Sequence, residues 1–219
     1  MGLSELLSTY GPNYLTALLT TWRITAVSFV LVMALSILIT VLRVCPFKPL
    51  RVFGDFYVQV FRNIPGAVLI LIVVYALPHL KLVLDYEPSV VLCTVLLGAS
   101  FGSENFMTGI NTIGVGQIEA ARSLGLSFGK ILRTIVIPQA LRSTVLPMTN
   151  LFIAVMLTTA LGSQVPMTPQ ELTGVVTYIN TRESAGIVTF FVSAAGYIST
   201  ALVVGFVGNA IDKKVRVIR

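Results

Sequence analysis

Five long stretches of this sequence contain no charged side chain, and they constrain the fold more than any other feature. They cover residues 24–42, 63–80, 88–103 (extendable past Glu104 to residue 112), 143–170 and 184–211. An α-helix needs about 20 apolar residues to cross a bilayer. Only 11% of the chain is charged, against about 25% in soluble domains, so most of its surface faces something other than water. The sequence predicts an all-α integral membrane protein with about five transmembrane helices in one domain, residues 1–219.

The basic residues predict the orientation of these helices. With the N-terminus outside and the C-terminus inside, twelve Lys and Arg residues fall on the inner side and three on the outer side. The inner ones are Arg43, Lys48, Arg51, Arg62, Arg122, Lys130, Arg133, Arg142, Lys213, Lys214, Arg216 and Arg219, and the outer ones are Arg23, Lys81 and Arg182. Cytoplasmic loops carry an excess of Lys and Arg. The net charge of +6 therefore reflects membrane orientation, and no nucleic-acid partner is expected.

Several other functions find no support in the residues. Cys45 and Cys93 fall near opposite sides of the bilayer, so a disulfide between them is not expected. His79 has no further ligands near it in sequence, so no metal site is predicted. The first twenty residues lack a basic start followed by an apolar core, so no cleavable signal peptide is expected.

The predicted spans contain helix breakers and polar residues. Pro65 opens the second span, Glu104 lies in the third, and Asn150 and Thr159 lie in the fourth. Proline and glycine are tolerated at membrane depth where neighbouring helices cover the freed backbone groups. Two interpretations remain, a packed helical bundle or a bundle with a polar path through it, and Glu104 favours the second.

The loop between the third and fourth spans, residues 113–142, predicts two short helices. Good helix formers run from residue 117 to 124, Gly125 suits a left-handed helix end, and Ser127 can cap the next helix. That second helix has one apolar face, formed by Phe128, Ile131, Leu132 and Ile135. Pro138 is predicted to stop it. The pair could cover the inner face of the bundle or dock onto a cytoplasmic partner.

The spacing of residues in this loop resembles a known motif. Glu119-Ala120-Ala121, three residues, Gly125, nine residues and then Ile135-x-Ile137-Pro138 is similar to the E-A-A-x3-G-x9-I-x-L-P loop of ABC importer permeases. The flanking residues resemble the polar amino acid uptake branch. They are Gly116, Gln117, Arg122 and Leu124 in the loop, and the F-R-x-x-P pattern of Phe61, Arg62, Asn63 and Pro65 at the second span. The resemblance runs from about residue 14 onward.

The resemblance implies a type I ABC importer (MetI-like) permease fold and a transport subunit rather than an enzyme. Two permease subunits would form the pathway, two ATPase subunits would use ATP and Mg²⁺, and an extracytoplasmic binding protein would deliver substrate. The substrate would be a polar amino acid, glutamate- or glutamine-like, and the location a prokaryotic inner membrane. The ATPase-coupling residues would be Gly116, Gln117, Glu119, Ala120, Ala121, Arg122, Leu124, Gly125 and Pro138. No cofactor is expected on this chain, since it has no phosphate-binding glycine loop.

The chain departs from that branch at membrane depth. Met107 stands where an arginine usually follows Glu104, and Leu157 stands where a lysine usually lies. Either a different permease chain supplies those charges in a heterodimer, or the substrate lacks the group that would meet them. Glu104 is expected either to find a polar partner or to be protonated, and it either lines the path or only bonds at the inner membrane edge. The candidate pathway residues are Arg62, Asn63, Pro65, Glu104, Met107, Asn150 and Thr159.

Three alternatives remain. The same architecture could carry another small solute. A channel or secondary transporter that works alone is disfavoured by the loop spacing and by the absence of an internal repeat of span pairs. An intramembrane enzyme is disfavoured because the spans contain no Ser/His pair, paired Asp or metal constellation.

Overall fold

The computed structural model describes residues 2–183 and 185–215, and every regular element in these two ranges is helical. Ser184, where the fifth predicted span begins, lies outside the described residues. Arg216 and Arg219, two of the predicted inner basic residues, also lie outside them.

The first helix, α1, is far longer than predicted. It runs from Leu3 to Val44, 42 residues, or about 63 Å at the α-helical rise. The hydrocarbon core is only about 30 Å thick, so α1 extends well beyond it. The charge-free stretch 24–42 is therefore only the inner part of α1, and the helix continues through Arg23 toward the N-terminus. The Arg23 guanidinium lies 2.6 Å from a Glu87 carboxylate oxygen.

The second predicted span is a broken helix. Helix α2 (Lys48–Asn63) precedes it, in a segment where the sequence predicted only an inner loop. Helix α3 (Gly66–Leu71) follows Pro65 and continues as a π-helical turn (Ile72–Ala76) and a 3-10 turn (Leu77–Leu80). The axis of α2 and the axis of the helical segment Gly66–Leu80 meet at an angle of 99°. The predicted span 63–80 is therefore helical from Gly66 onward, and α2 meets it at nearly a right angle.

The third span and the inner loop follow the prediction more closely. Helix α4 spans Tyr86–Asn111. The loop then forms α5 (Val115–Ser123), α6 (Phe128–Ile131), a π-helical turn (Leu132–Val136) and α7 (Ile137–Ser143). The expectation that Pro138 stops the helix was wrong. Pro138 lies at the start of α7, directly after the wider π-helical turn, and such turns accommodate a residue that breaks the α-helical ladder.

The last two spans differ in how well the sequence predicted them. Helix α8 (Val145–Thr158) continues as a 3-10 turn (Thr159–Gln164), so the fourth span ends at Gln164 rather than at residue 170. A short helix, α9 (Gly174–Asn180), was not predicted. Helix α10 (Ile187–Val215) forms the fifth span. The described residues thus contain four continuous apolar spans, and five when the bent pair is included.

Helices α1 and α4 form the centre of the bundle and approach each other at two glycines. A Cβ atom at Gly98 would lie 2.7 Å from Val32 Cγ2, and one at Gly102 would overlap Ser36 Oγ. Small residues four apart allow membrane helices to pack with their backbones close together. This contact fixes the depth of α4 relative to α1, and therefore the position of Glu104.

Candidate functional site

Helix α5 begins two residues earlier than predicted and ends at the expected glycine. Gly125 has φ +73°, the left-handed conformation that glycine adopts at low cost. The Gly125 N–H donates to the Arg122 carbonyl at 2.9 Å, and the Leu126 N–H donates to the Ala121 carbonyl at 3.2 Å. This is the hydrogen-bond pattern of a glycine-terminated helix. The turn holds α5 and α6 in a fixed relation.

One face of α5 packs on the rest of the loop and the other is open. Ala121 is buried and belongs to a small apolar cluster with Ile113, Ile131 and Val136. Leu124, by contrast, is 80% exposed. The small size of Ala121 is therefore needed for packing within this chain.

The remaining predicted coupling residues lie mostly on the surface. Those with exposed side chains or backbone are Gly116, Gln117, Glu119, Ala120, Arg122, Gly125 and Pro138. Gln139 donates a hydrogen bond to the Gln117 side chain at 2.8 Å and ties α5 to α7. The loop therefore exposes the apolar side chain of Leu124 at the end of a helix that is held in place by its contacts with α7.

Glu104 has two arginine partners. Its carboxylate lies 2.8 Å from Arg43 Nη2, at the inner end of α1, and 3.4 Å from Arg62 Nη1, at the end of α2. Arg43 also donates to Asp55 Oδ1 at 2.8 Å and to Ser103 Oγ at 3.1 Å. We refer to Arg43, Asp55, Arg62 and Glu104 as the inner charge cluster. It balances two positive against two negative side chains.

Arg43 and Arg62 differ in their exposure. The Arg43 side chain is 13% exposed, whereas the Arg62 side chain is 40% exposed and lies over the Phe101 ring at 5.6 Å. Arg43 therefore holds Glu104 from the interior, and Arg62 covers it from the open side. The sequence indicated Arg62 and Glu104 but missed Arg43, whose position at the end of a charge-free stretch suggested only an orientation signal.

The other candidate pathway residues are not all brought together. Asn150 lies on the exposed face of α8, and Leu157 lies on the same face seven residues later. Thr159 is fully buried and donates to the Met156 carbonyl at 2.7 Å, so it does not line an open surface. Met107 is half-buried on α4.

Two residues at the break in the second span have local roles. The Asn63 side chain donates to the Gln59 carbonyl at 2.6 Å, within its own helix. Pro65 caps α3 with an extended backbone. Both residues shape the bend between α2 and α3.

A buried carboxylate on the outer side was missed by the sequence analysis. Glu171 is completely buried and accepts hydrogen bonds from the Gly174 N–H at 2.6 Å and from Tyr197 Oη at 2.9 Å. It lies between Gln164 and α9, outside the spans, and it fixes the start of α9 against α10. Burial raises the pKa of this carboxyl above its usual value. Its position just beyond a charge-free stretch was the signal that could have identified it.

The fold and the loop define a transport permease. The chain matches the family described as binding-protein-dependent transport system inner membrane component over residues 33–217, and it belongs to that family. It is therefore a multi-pass membrane protein, and the all-helical type I importer architecture predicted from the sequence is confirmed.

Two curated relatives are named as permease proteins of amino acid transport systems. The chain is 32% identical over 215 residues to the glutamate transport system permease protein GluC of Corynebacterium glutamicum, covering 93% of this chain and 94% of the relative. It is 28% identical over 212 residues to the arginine transport system permease protein ArtQ of Bacillus subtilis, covering 94% and 93%.

Two solved structures share the fold. The first is the crystal structure of an amino acid ABC transporter with histidines, with TM-score 0.90 and 21% identity over 98% of this chain and 99% of the other. The second is an inward facing MetNI methionine ABC transporter, with TM-score 0.80 and 19% identity over 95% and 99%.

Proposed function

We propose that this chain is the permease subunit of an ATP-driven importer for a polar amino acid of the glutamate or glutamine type. The observation that carries the proposal is the inner loop, where a braced helix ends at a left-handed glycine and exposes Leu124. An apolar side chain that protrudes from a rigid helix end is suited to insertion into a pocket of a partner protein. A loop that only covered the bundle would bury that side chain instead.

The partners follow from this arrangement. A cytoplasmic ATPase would receive α5 and hydrolyse ATP with Mg²⁺, while this chain binds no cofactor and catalyses no reaction. An extracytoplasmic binding protein would deliver the substrate on the side where Glu171 fixes α9. The complex would lie in a prokaryotic inner membrane, as the family description suggests.

The second permease subunit is proposed to be a different chain. The exposed face of α8 that holds Asn150 also holds Leu157, which is half exposed. Met107 and Leu157 leave this chain without the positive charges that its branch usually carries there. A partner chain that supplies them would give the pathway the charge needed to meet an acidic substrate.

The substrate class rests on the relatives and on the inner charge cluster. Glutamate and glutamine permeases are among the relatives that cover most of the chain. Arg62 is the more exposed arginine of the cluster and lies beside Phe101 on the open side of α4. A guanidinium at that position can pair with a carboxylate of a passing amino acid. The alternative substrate is another small polar solute.

The coupling role is tested with a matched pair of glycine variants. Gly125 and Gly129 both have open space around the position of a Cβ atom, but only Gly125 has a positive φ. Gly125→Asp is expected to abolish uptake and binding-protein-stimulated ATP hydrolysis in reconstituted vesicles. Gly129→Asp places a negative charge in the first turn of α6, where it is tolerated, and retains both activities. Full activity of Gly125→Asp would rule out the coupling role.

The substrate and the partnership are tested on the complex purified from its native membrane. Mass spectrometry of the intact complex is expected to find one ATPase type and a second permease chain. Uptake of labelled glutamate and glutamine is then compared with uptake of arginine and of a sugar. A functional single chain, or transport of the sugar alone, would contradict the proposal.

A further inference from the structure

An apolar groove on the inner half of the bundle is not used by the proposed transport path. It has a volume of about 480 Å³, within the range of about 300–1,000 Å³ typical of ligand pockets. Helices α1, α4, α8 and α10 and the end of α7 form its walls. Phe29, Met148, Phe152, Val203, Val207 and Ile211 are among the lining residues. A smaller apolar cavity beside it shares Phe106 and Leu141 with it.

The polar atoms in the groove are already satisfied. Among the lining residues, Thr144 donates its hydroxyl to the Ala140 carbonyl and Thr149 donates to the Val145 carbonyl, both at 2.9 Å. No lining side chain carries a charge. An occupant of the groove therefore makes apolar contacts and needs no hydrogen-bonding groups, as is the case for an alkyl chain.

The groove faces away from the candidate pathway. On α8 it is lined by Val145, Met148, Thr149 and Phe152, whereas the exposed stripe holds Asn150, Ala154 and Leu157. At 100° per residue, the centres of these two stripes lie roughly 155° apart around the helix. On α4, the lining residue Phe106 follows Glu104 by two positions and so lies about 200° from it around the helix. The groove thus opens toward the lipid side of the subunit.

Basic side chains border the inner end of the groove. Arg142 is exposed and directly follows the lining residue Leu141. Lys214 follows the lining residue Ile211 by three positions, so it extends the same face of α10 by one turn. Asp212 is the acidic residue in this segment, and it leaves a surplus of positive charge. Basic residues at the cytoplasmic end of an interhelical groove attract anionic lipid head groups.

We propose that this groove binds one acyl chain of an anionic phospholipid from the inner leaflet, with the head group held by Arg142 and Lys214. The acyl chain fills the space between α8 and α10, the two helices that connect the coupling loop to the C-terminus. The proposal is independent of which solute is transported, so it stands or falls separately from the proposed function.

Binding is tested on the assembled complex, delipidated in detergent and titrated with phosphatidylglycerol or with phosphatidylcholine of the same acyl chains. Native mass spectrometry counts the lipid retained. Phosphatidylglycerol is expected to be retained about tenfold more tightly than phosphatidylcholine. Equal retention of the two lipids by the wild-type complex would overturn the proposed head-group site.

Two variants with matched controls distinguish the contribution of the groove to lipid binding from that of the basic residues at its inner end. Val207→Phe fills the groove and is expected to lower retention of both lipids, while Val30→Phe, at an exposed position of α1 outside the groove, leaves retention unchanged. The double variant Arg142→Gln/Lys214→Gln is expected to lower retention of phosphatidylglycerol only. Its control, Lys48→Gln/Lys81→Gln, removes two charges elsewhere. Unchanged retention in Val207→Phe would refute the proposal.

A photo-reactive amino acid placed at Val207 identifies the occupant in membranes. A cross-linked product heavier by one phospholipid supports the proposal. A product joined to a second permease chain would overturn it, because the groove would then be an interface between subunits.

Discussion

Replacing Arg43 by alanine is the sharpest test of the inner charge cluster. Its guanidinium contacts Asp55, Glu104 and Ser103 at 2.8–3.1 Å, and its side chain is 13% exposed. Removing one partner of a buried ion pair costs about 3–5 kcal/mol. Glu104 is one-third exposed and keeps Arg62 as a partner. We therefore expect the free energy of unfolding to fall by about 3 kcal/mol, near the lower limit of that range. This corresponds to roughly a 150-fold fall in the ratio of folded to unfolded protein.

Two further variants make the expectation specific. Arg62→Ala removes a 40% exposed side chain at 3.4 Å and is expected to cost less than about 1 kcal/mol. Combining Arg43→Ala with Glu104→Gln removes the carboxylate charge that lost its interior partner and kept only Arg62. The double variant should therefore be more stable than the sum of the two single effects, by about 1–3 kcal/mol.

Cys93 provides the assay. It is completely buried on α4, whereas Cys45 is partly exposed, so a Cys45→Ser background leaves one protected thiol. A thiol-reactive fluorophore then reports unfolding in mixed micelles as a function of temperature and denaturant. Equal losses for Arg43→Ala and Arg62→Ala, or strictly additive effects of Arg43→Ala and Glu104→Gln, would refute the assignment of Arg43 as the interior partner.

Two other predictions concern the helix contact and the outer carboxylate. Gly102→Leu drives a side chain into Ser36 and is expected to destabilise the chain by at least about 2 kcal/mol, whereas Gly11→Leu meets open space and is expected to change thermal stability little. The raised pKa of Glu171 means that the fold favours its protonated form, so this contribution to stability is present below the unfolded pKa and is lost as the pH rises through the folded value. Glu171→Gln is expected to flatten the fall in melting temperature above pH 4.5, and identical pH profiles for variant and wild type would contradict this.

The sequence predicted the features that depend on local chemistry. Gly125 could be identified as a helix end because a left-handed residue strongly favours glycine. The apolar spans could be located because membrane insertion requires a minimum length without charge. The type I importer fold was implied by the resemblance of this loop, through the spacing of Glu119, Gly125 and Pro138, to the loop of ABC importer permeases.

Other features depend on residues far apart in the chain. Arg23 lies within α1 and pairs with Glu87, 64 positions later, a contact that neither segment reveals alone. Glu104 forms an ion pair with Arg43, and the residues around each of them in sequence do not reveal this pairing. The fourth span ends at Gln164 although the charge-free stretch continues, because absence of charge does not require helical backbone. The Thr159 hydroxyl donates to the Met156 carbonyl within its own span, a local bond that the sequence alone did not show.

The uninterrupted length of α1 links the two sides of the membrane mechanically. Its outer part packs on α9 and α10 through Leu6, Tyr14 and Ala17, and its inner end carries Arg43. Because α1 is held close to α4 at Val32 and Ser36, it pivots there, and a tilt of about 4° moves Arg43, about 14 Å further along, by about 1 Å. A shift of that size is enough to lengthen a 2.8 Å contact between Arg43 and Glu104 beyond hydrogen-bonding distance. A displacement of the outer end of α1 can therefore reach the inner charge cluster through a single helix.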